Sequence, residues 1–151
     1  MTTTESTPST ASFADLGISG DLISVLADNG IIDPFPIQTM TIPTALDGAD
    51  ITGKAKTGSG KTLAFGLPMI ERVADPAPKR PQGLVLVPTR ELASQVTEAL
   101  EPLLASRGET CVAVYGGSPM GAQIDELAKG AAIAIATPGR LIDLMERRAL
   151  D

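Results

Sequence analysis

The chain has no histidine and no tryptophan, and among its 151 residues there are one cysteine, one tyrosine and three phenylalanines. Without histidine the commonest metal ligand is missing, which excludes a cysteine-histidine zinc site. Cys111 lies in an apolar run and has no second thiol for an internal disulfide. Basic excess is missing as well: 12 Lys and Arg stand against 18 Asp and Glu, for a formal net charge of -6 and a pI near 4.6. That balance argues against a nucleic-acid binder driven by bulk charge. No basic residue followed by an apolar segment opens the chain, and no run is long and apolar enough to span a bilayer, so the expected location is cytoplasmic, without a membrane. What is present is a 43% share of hydrophobic residues, enough to fill the core of one ordinary domain.

Residues 1–12 are rich in Thr, Ser and Pro and hold almost no apolar side chain, which predicts a flexible tail ahead of a domain over 13–151. From Ser19, in N-cap position, Leu22, Ile23, Val25 and Leu26 follow helical spacing until Gly30. A second helix is expected from Pro36, which suits a first helical turn, to a stop at Gly48, with Pro43 inside it. Then short β-branched runs alternate with amphipathic stretches. Strands are expected at "DITGKA", "GLVLV", "TCVAVYGG" and "AAIAIA", and helices at "KTLAFGLPMIERV", "RELASQVTEALEPLLASRG", "PMGAQIDELAKG" and "GRLIDLMERRAL". This alternation predicts an α/β fold with a parallel sheet covered by helices on both faces. In such a sheet the loops after the strands share one rim, where ligands bind.

The stretch "AKTGSGKT", Ala55 to Thr62, falls between an expected strand and an expected helix. Gly58 and Gly60 let the backbone curl around an anion, Lys61 can reach the outer phosphates, and the Thr62 hydroxyl can meet magnesium. The helix that follows offers free amides and the positive end of its dipole. Ala55 stands where such loops usually open with glycine. These residues point to a nucleoside triphosphate and do not choose among a kinase, a GTPase, a transporter ATPase and a motor.

Residues on either side do choose. Upstream, "GIIDPFPIQ" sets Gln38 on a helix, where its amide offers a donor and an acceptor together, as an adenine edge requires. Downstream, "VPTREL" and "TPGR" each follow a strand and open a helix, combining a hydroxyl and an arginine with free amides; "YGG" closes a third strand with glycines that allow close approach. Taken singly, these are helix caps, turns and surface ion pairs, with Arg90 held by a neighbouring carboxylate.

As an ordered set, Phe13, "PIQ", "AKTGSGKT", "PTREL", "GG" and "TPGR" resemble the amino-terminal half of the core of a DEAD-box RNA helicase, a P-loop NTPase of RecA-like fold. The resemblance runs from Phe13 to the end of the chain. It implies ATP and magnesium as cofactors, with Gln38 and Phe13 at the adenine and with Ala55, Lys56, Thr57, Gly58, Ser59, Gly60, Lys61 and Thr62 around the phosphates. Lys61 is the residue it implicates in turnover and Thr62 the one at the metal. It further implies that Pro88, Thr89, Arg90, Gly116, Gly117, Thr137, Gly139 and Arg140 grip the backbone of single-stranded RNA without reading bases. Gripping by helix N-termini and a few arginines is compatible with an acidic surface. Two positions depart from the family pattern: Ile31 replaces a usual aromatic and Lys56 a frequent glutamine.

The family's Asp-Glu-Ala-Asp motif does not occur in this sequence. Without those carboxylates, nothing here positions magnesium and the attacking water together, so the expectation is a partial first RecA-like domain that binds ATP and RNA but does not turn over by itself. Two alternatives stand beside it. One is a natural short product that binds without catalysis and competes with the intact helicase. The other is a small-molecule kinase, which needs an acceptor site with a catalytic acid that the sequence does not display.

Overall fold

The computed structural model describes residues 11–50, 60–73, 78–117 and 119–149. The expected strand "DITGKA" and the loop positions Ala55 to Ser59 lie outside the described residues. The chain divides into two compact units, residues 1–72 and 73–151.

Among the described residues the first unit carries three helices: α1 (Gly20–Asp28), α2 (Pro36–Leu46) and α3 (Lys61–Arg72). Its core gathers Phe13, Leu16, Ile18, Leu22 and Leu26 with Ile42 of α2 and Leu63, Leu67 and Ile70 of α3. α1 forms where the periodicity places it, burying Leu22 and Leu26 on one stripe. Ser19 occupies the N-cap with extended backbone, yet its side chain does not cap the helix. The hydroxyl donates its hydrogen to Glu71 Oε1 at 2.8 Å, a charge-assisted bond. α2 starts with Pro36 in its first turn and contains Pro43 in its interior. It ends before Gly48, whose φ of +89° lies in the left-handed region that favours glycine.

The described residues of the second unit form a three-stranded parallel sheet with helices on both faces. Its elements are β1 (Gly83–Leu86), α4 (Arg90–Ala105), β2 (Cys111–Val114), α5 (Met120–Ala128), β3 (Ile133–Ala136) and α6 (Pro138–Glu146). The strand order is β1-β3-β2, so the crossover through α4 skips one place and the crossover through α5 returns β3 into the middle. In register, Leu84, Ala134 and Val112 share one face, as do Leu86, Ala136 and Val114. On that face Val112, Val114, Ala134 and Ala136 pack with Leu127 of α5 and Leu141 and Leu144 of α6. α4 covers the opposite face with Ala93, Val96, Leu100, Leu103 and Leu104. Every residue of β3 is buried, which explains its unbroken "IAIA". Coverage is less complete at β1, where Val85 is buried and its neighbours Leu84 and Leu86 are exposed, because successive side chains point to opposite faces.

Candidate nucleotide and nucleic-acid sites

In the first unit the site begins at the head of α3. Gly60 precedes the helix with φ +86°, and a Cβ at this position would overlap Gln38 Nε2 and lie 2.8 Å from Phe35 Cδ2. Only glycine fits both demands. The Gly60 carbonyl accepts from the amide of Ala64 at 3.1 Å, which starts the helix, and from Gln38 Nε2 at 3.1 Å. Gln38 Oε1 in turn accepts from the Phe35 amide at 2.8 Å, closing the first turn of α2. This carboxamide, 2% exposed, therefore fixes the start of one helix to the start of another 22 residues away.

Lys61 and Thr62 follow directly as the first residues of α3, where a helix has backbone amides without an intrahelical acceptor. Glycine before the helix, free amides at its head, an ammonium and a hydroxyl form a donor set that fits a triphosphate and its magnesium. Lys61 also lines a cavity of about 570 Å³ between α2 and α3, together with Ile37, Thr41, Ala64, Phe65 and Met69. The phenylalanine expected at the adenine and the one beside Gln38 differ in placement. Phe13 is 1% exposed and belongs to the core, whereas Phe35 is 48% exposed beside the Gln38 amide.

In the second unit the parallel strands bring three of the expected loops to one rim. The Val87 amide donates to the Ala136 carbonyl at 2.9 Å and the Thr137 amide to the Val114 carbonyl at 3.0 Å, extending the ladder past the strand ends. Thr89 caps α4 by accepting from the Leu92 amide at 3.2 Å. Thr137 has N-cap backbone geometry at the head of α6 but makes no capping bond, leaving Pro138 in the first turn. Arg90 extends over the Tyr115 ring, 5.5 Å from its centroid, and a Cβ on Gly117 would lie 3.3 Å from its Nη1. So the space that glycine leaves at Gly117, where φ is +85°, borders a guanidinium. Gly116 and Gly139 border open space.

Gln123 of α5 completes the rim. Its Oε1 accepts from Arg140 Nη1 at 2.8 Å, and its Nε2 donates to the Tyr115 carbonyl at 3.1 Å. Sequence reasoning passed over this residue, since one glutamine in an amphipathic helix looks like part of a solvated face. Its place one residue from Ile124 and four from Leu127, at the edge of the apolar stripe, is the signal that could have found it. Among the described residues no cluster of acidic or cysteine side chains could hold a metal ion, and no helix is long and apolar enough to cross a membrane.

The family model for DEAD/DEAH box helicases matches residues 35–151. The chain belongs to the DEAD/DEAH box helicase family. It is 46% identical over 143 residues to DEAD-box ATP-dependent RNA helicase 9, mitochondrial, of Arabidopsis thaliana, and 48% identical over 140 residues to ATP-dependent RNA helicase DeaD of Escherichia coli (strain K12). Those matches cover 91% and 92% of this chain but only 23% and 22% of the relatives, so the chain spans under a quarter of their length. Among solved structures, the RNA-helicase Prp28 from Chaetomium thermophilum bound to ADP superposes with a TM-score of 0.82 at 40% identity, covering 91% of this chain and 34% of that one. A hypothetical ATP-dependent RNA helicase from Sulfolobus tokodaii gives a TM-score of 0.80 at 34% identity, covering 89% and 38%. The α/β fold expected from the helix-strand alternation is therefore shared with the RecA-like domains of these helicase structures.

Proposed function

We propose that this chain is the ATP-docking and RNA-gripping part of an ATP-dependent RNA helicase. The observation that carries the nucleotide half is the bond from Gln38 Nε2 to the Gly60 carbonyl, which holds an amide with both donor and acceptor character against the residue that opens the phosphate-facing helix. On this reading the second Nε2 hydrogen and second Oε1 lone pair of Gln38, beyond its bonds to Gly60 and Phe35, engage the adenine edge, and Phe35, exposed beside it, offers a ring face to the base. Phe13 supports the segment from the core. Gly60, Lys61 and Thr62 hold the phosphates and magnesium together with Ala55 to Ser59, which lie outside the described residues. Bound magnesium would neutralise phosphate charge during transfer to water.

The RNA half rests on the shared rim. Thr89, Arg90, Gly116, Gly117, Thr137, Gly139 and Arg140, with Pro88 leading into α4, present two guanidiniums and two helix N-termini to a sugar-phosphate chain. Contacts of that kind carry affinity and no base identity. In the absence of an Asp-Glu-Ala-Asp motif, these residues bind, and hydrolysis requires carboxylates from outside this sequence. Isothermal titration of the purified protein with a non-hydrolysable ATP analogue and with single-stranded RNA tests both halves. Binding of both supports the reading; failure to bind the ATP analogue overturns the nucleotide half, and failure to bind RNA overturns the other.

A further inference from the structure

The apolar stripe of α5 packs Leu127 into the core, with Met120 and Ile124 lying against it, and Gln123 beside them is 6% exposed. A carboxamide at this depth costs free energy unless both of its ends find partners. Here they do, and the partners belong to two different loops: the Tyr115 carbonyl at the end of β2 and the Arg140 guanidinium at the head of α6. Tyr115 carries a second arginine, since Arg90 stacks over its ring. One buried amide thus joins both rim arginines, Arg140 by a hydrogen bond and Arg90 through the residue it anchors.

We propose that Gln123 is the positioning residue of the RNA rim, holding Arg140 in its phosphate-gripping orientation by fastening it to the loop that carries Arg90. The inference rests on the RNA-binding reading of that rim. A long guanidinium side chain loses rotamer freedom when it clamps a phosphate, and an arginine already held in place loses less of it on binding. Gln123 supplies no positive charge and does not reach the RNA itself. Its contribution is orientation, which leaves a signature different from that of a contact. Removing a phosphate contact flattens the salt dependence of binding, by about 0.7 in the log-log slope for single-stranded nucleic acid. Removing a positioning residue lowers affinity and leaves that slope in place, because Arg140 keeps its charge and still meets the phosphate.

The test uses the full-length protein and fluorescein-labelled oligouridine, with affinity read by anisotropy across a salt series. Gln123→Met keeps the length and apolar packing of the side chain while deleting both bonds. It is expected to weaken RNA binding about three- to tenfold with an unchanged salt slope and unchanged affinity for an ATP analogue. In an Arg140→Ala background the same substitution is expected to cost less than about twofold, since the group it positions is gone. Equal losses in both backgrounds, or a lower melting temperature accompanied by weaker ATP-analogue binding, would show that Gln123 serves the fold and would overturn the proposal. Unchanged RNA affinity in Gln123→Met would overturn it as well. If the unsubstituted protein fails to bind oligouridine, the RNA reading of the rim falls first and takes the proposal with it.

Discussion

Ser19 and Glu71 lie 52 residues apart and are joined by two hydrogen bonds to the two oxygens of one carboxylate: the Ser19 amide donates to Oε2 at 2.6 Å and the Ser19 hydroxyl to Oε1 at 2.8 Å. The head of α1 is thereby fastened to the last turn of α3, the helix that Lys61 and Thr62 open. Both donors are partly buried, and bonds to a charged acceptor contribute more than neutral ones. Glu71→Ala is expected to lower unfolding stability by about 1–3 kcal/mol. Urea unfolding followed by circular dichroism measures it. A midpoint within error of the unsubstituted protein would mean that the clamp contributes nothing net.

The Cys111 thiol is pushed up to about 12, first by its burial and then by the Glu101 carboxylate. A thiol held protonated is a poor nucleophile, so a disulfide reagent at pH 8 should react slowly with the folded protein and rapidly once it unfolds. The raised value also fixes a sign. Well below pH 9 both folded and unfolded states keep the proton and this group adds no pH dependence to stability. Between about 9 and 12 only the unfolded chain releases it, so stability falls as pH rises. Cys111→Ala should flatten that alkaline decline, and an unaltered pH profile in the variant would contradict the assignment.

Gln38 has two duties that one substitution separates poorly and two substitutions separate well. Gln38→Ala leaves the Phe35 amide and the Gly60 carbonyl without partners, so stability and ATP-analogue affinity should both drop. Phe35→Ala removes a half-exposed ring, leaves both bonds of Gln38 intact and is expected to weaken ATP-analogue binding by about threefold or more while stability changes by about 0.5 kcal/mol or less. GTP should displace a labelled ATP analogue only weakly, because a site that bonds one base edge leaves polar groups unpaired with another. Equal displacement by GTP would remove Gln38 from base recognition.

Lys61→Ala takes an ammonium from the first turn of α3, where the helix already favours anions. This should weaken binding of a non-hydrolysable ATP analogue by about tenfold or more, measured by isothermal titration, with no loss of fold by circular dichroism. Unchanged analogue affinity would sink the assignment of this loop.

Most of the fold was legible because its signals are local. The "IAIA" of β3 reads as a doubly buried strand, and Gly30, Gly48, Gly108 and Gly130 punctuate the helices with positive φ. Strand order was not legible: the place of β3 between β1 and β2 is decided by packing across the sheet and leaves no mark on any one strand. The site residues were named from their motif order, but their partners were not. Ser19 keeps the N-cap position but gives its hydroxyl hydrogen to Glu71, and Arg90 lies over the Tyr115 ring, pairings that no motif names. The burial of Gln123 is hinted at by its spacing from Ile124 and Leu127, but its two partners, Tyr115 and Arg140, are not. Such long-range pairings depend on how helices and strands assemble, which spacing along the chain does not encode.

Arg90 offers the sharpest test of how RNA is held. Its guanidinium sits over Tyr115 and borders Gly117, so its position is defined by a ring face and by space that a side chain at Gly117 would fill. If it meets phosphate, Arg90→Ala should weaken binding to oligouridine, oligoadenosine and a mixed sequence by similar factors and lower the log-log salt slope by about 0.7 on each. Arg90→Lys keeps the charge but gives up the planar stack, so it should restore most of the slope and only part of the affinity. Anisotropy titrations on the three RNAs at a series of salt concentrations provide both quantities. A loss confined to one sequence would mean that Arg90 reads a base edge, and an affinity loss with no change of slope in Arg90→Ala would mean that it never touches the phosphate chain.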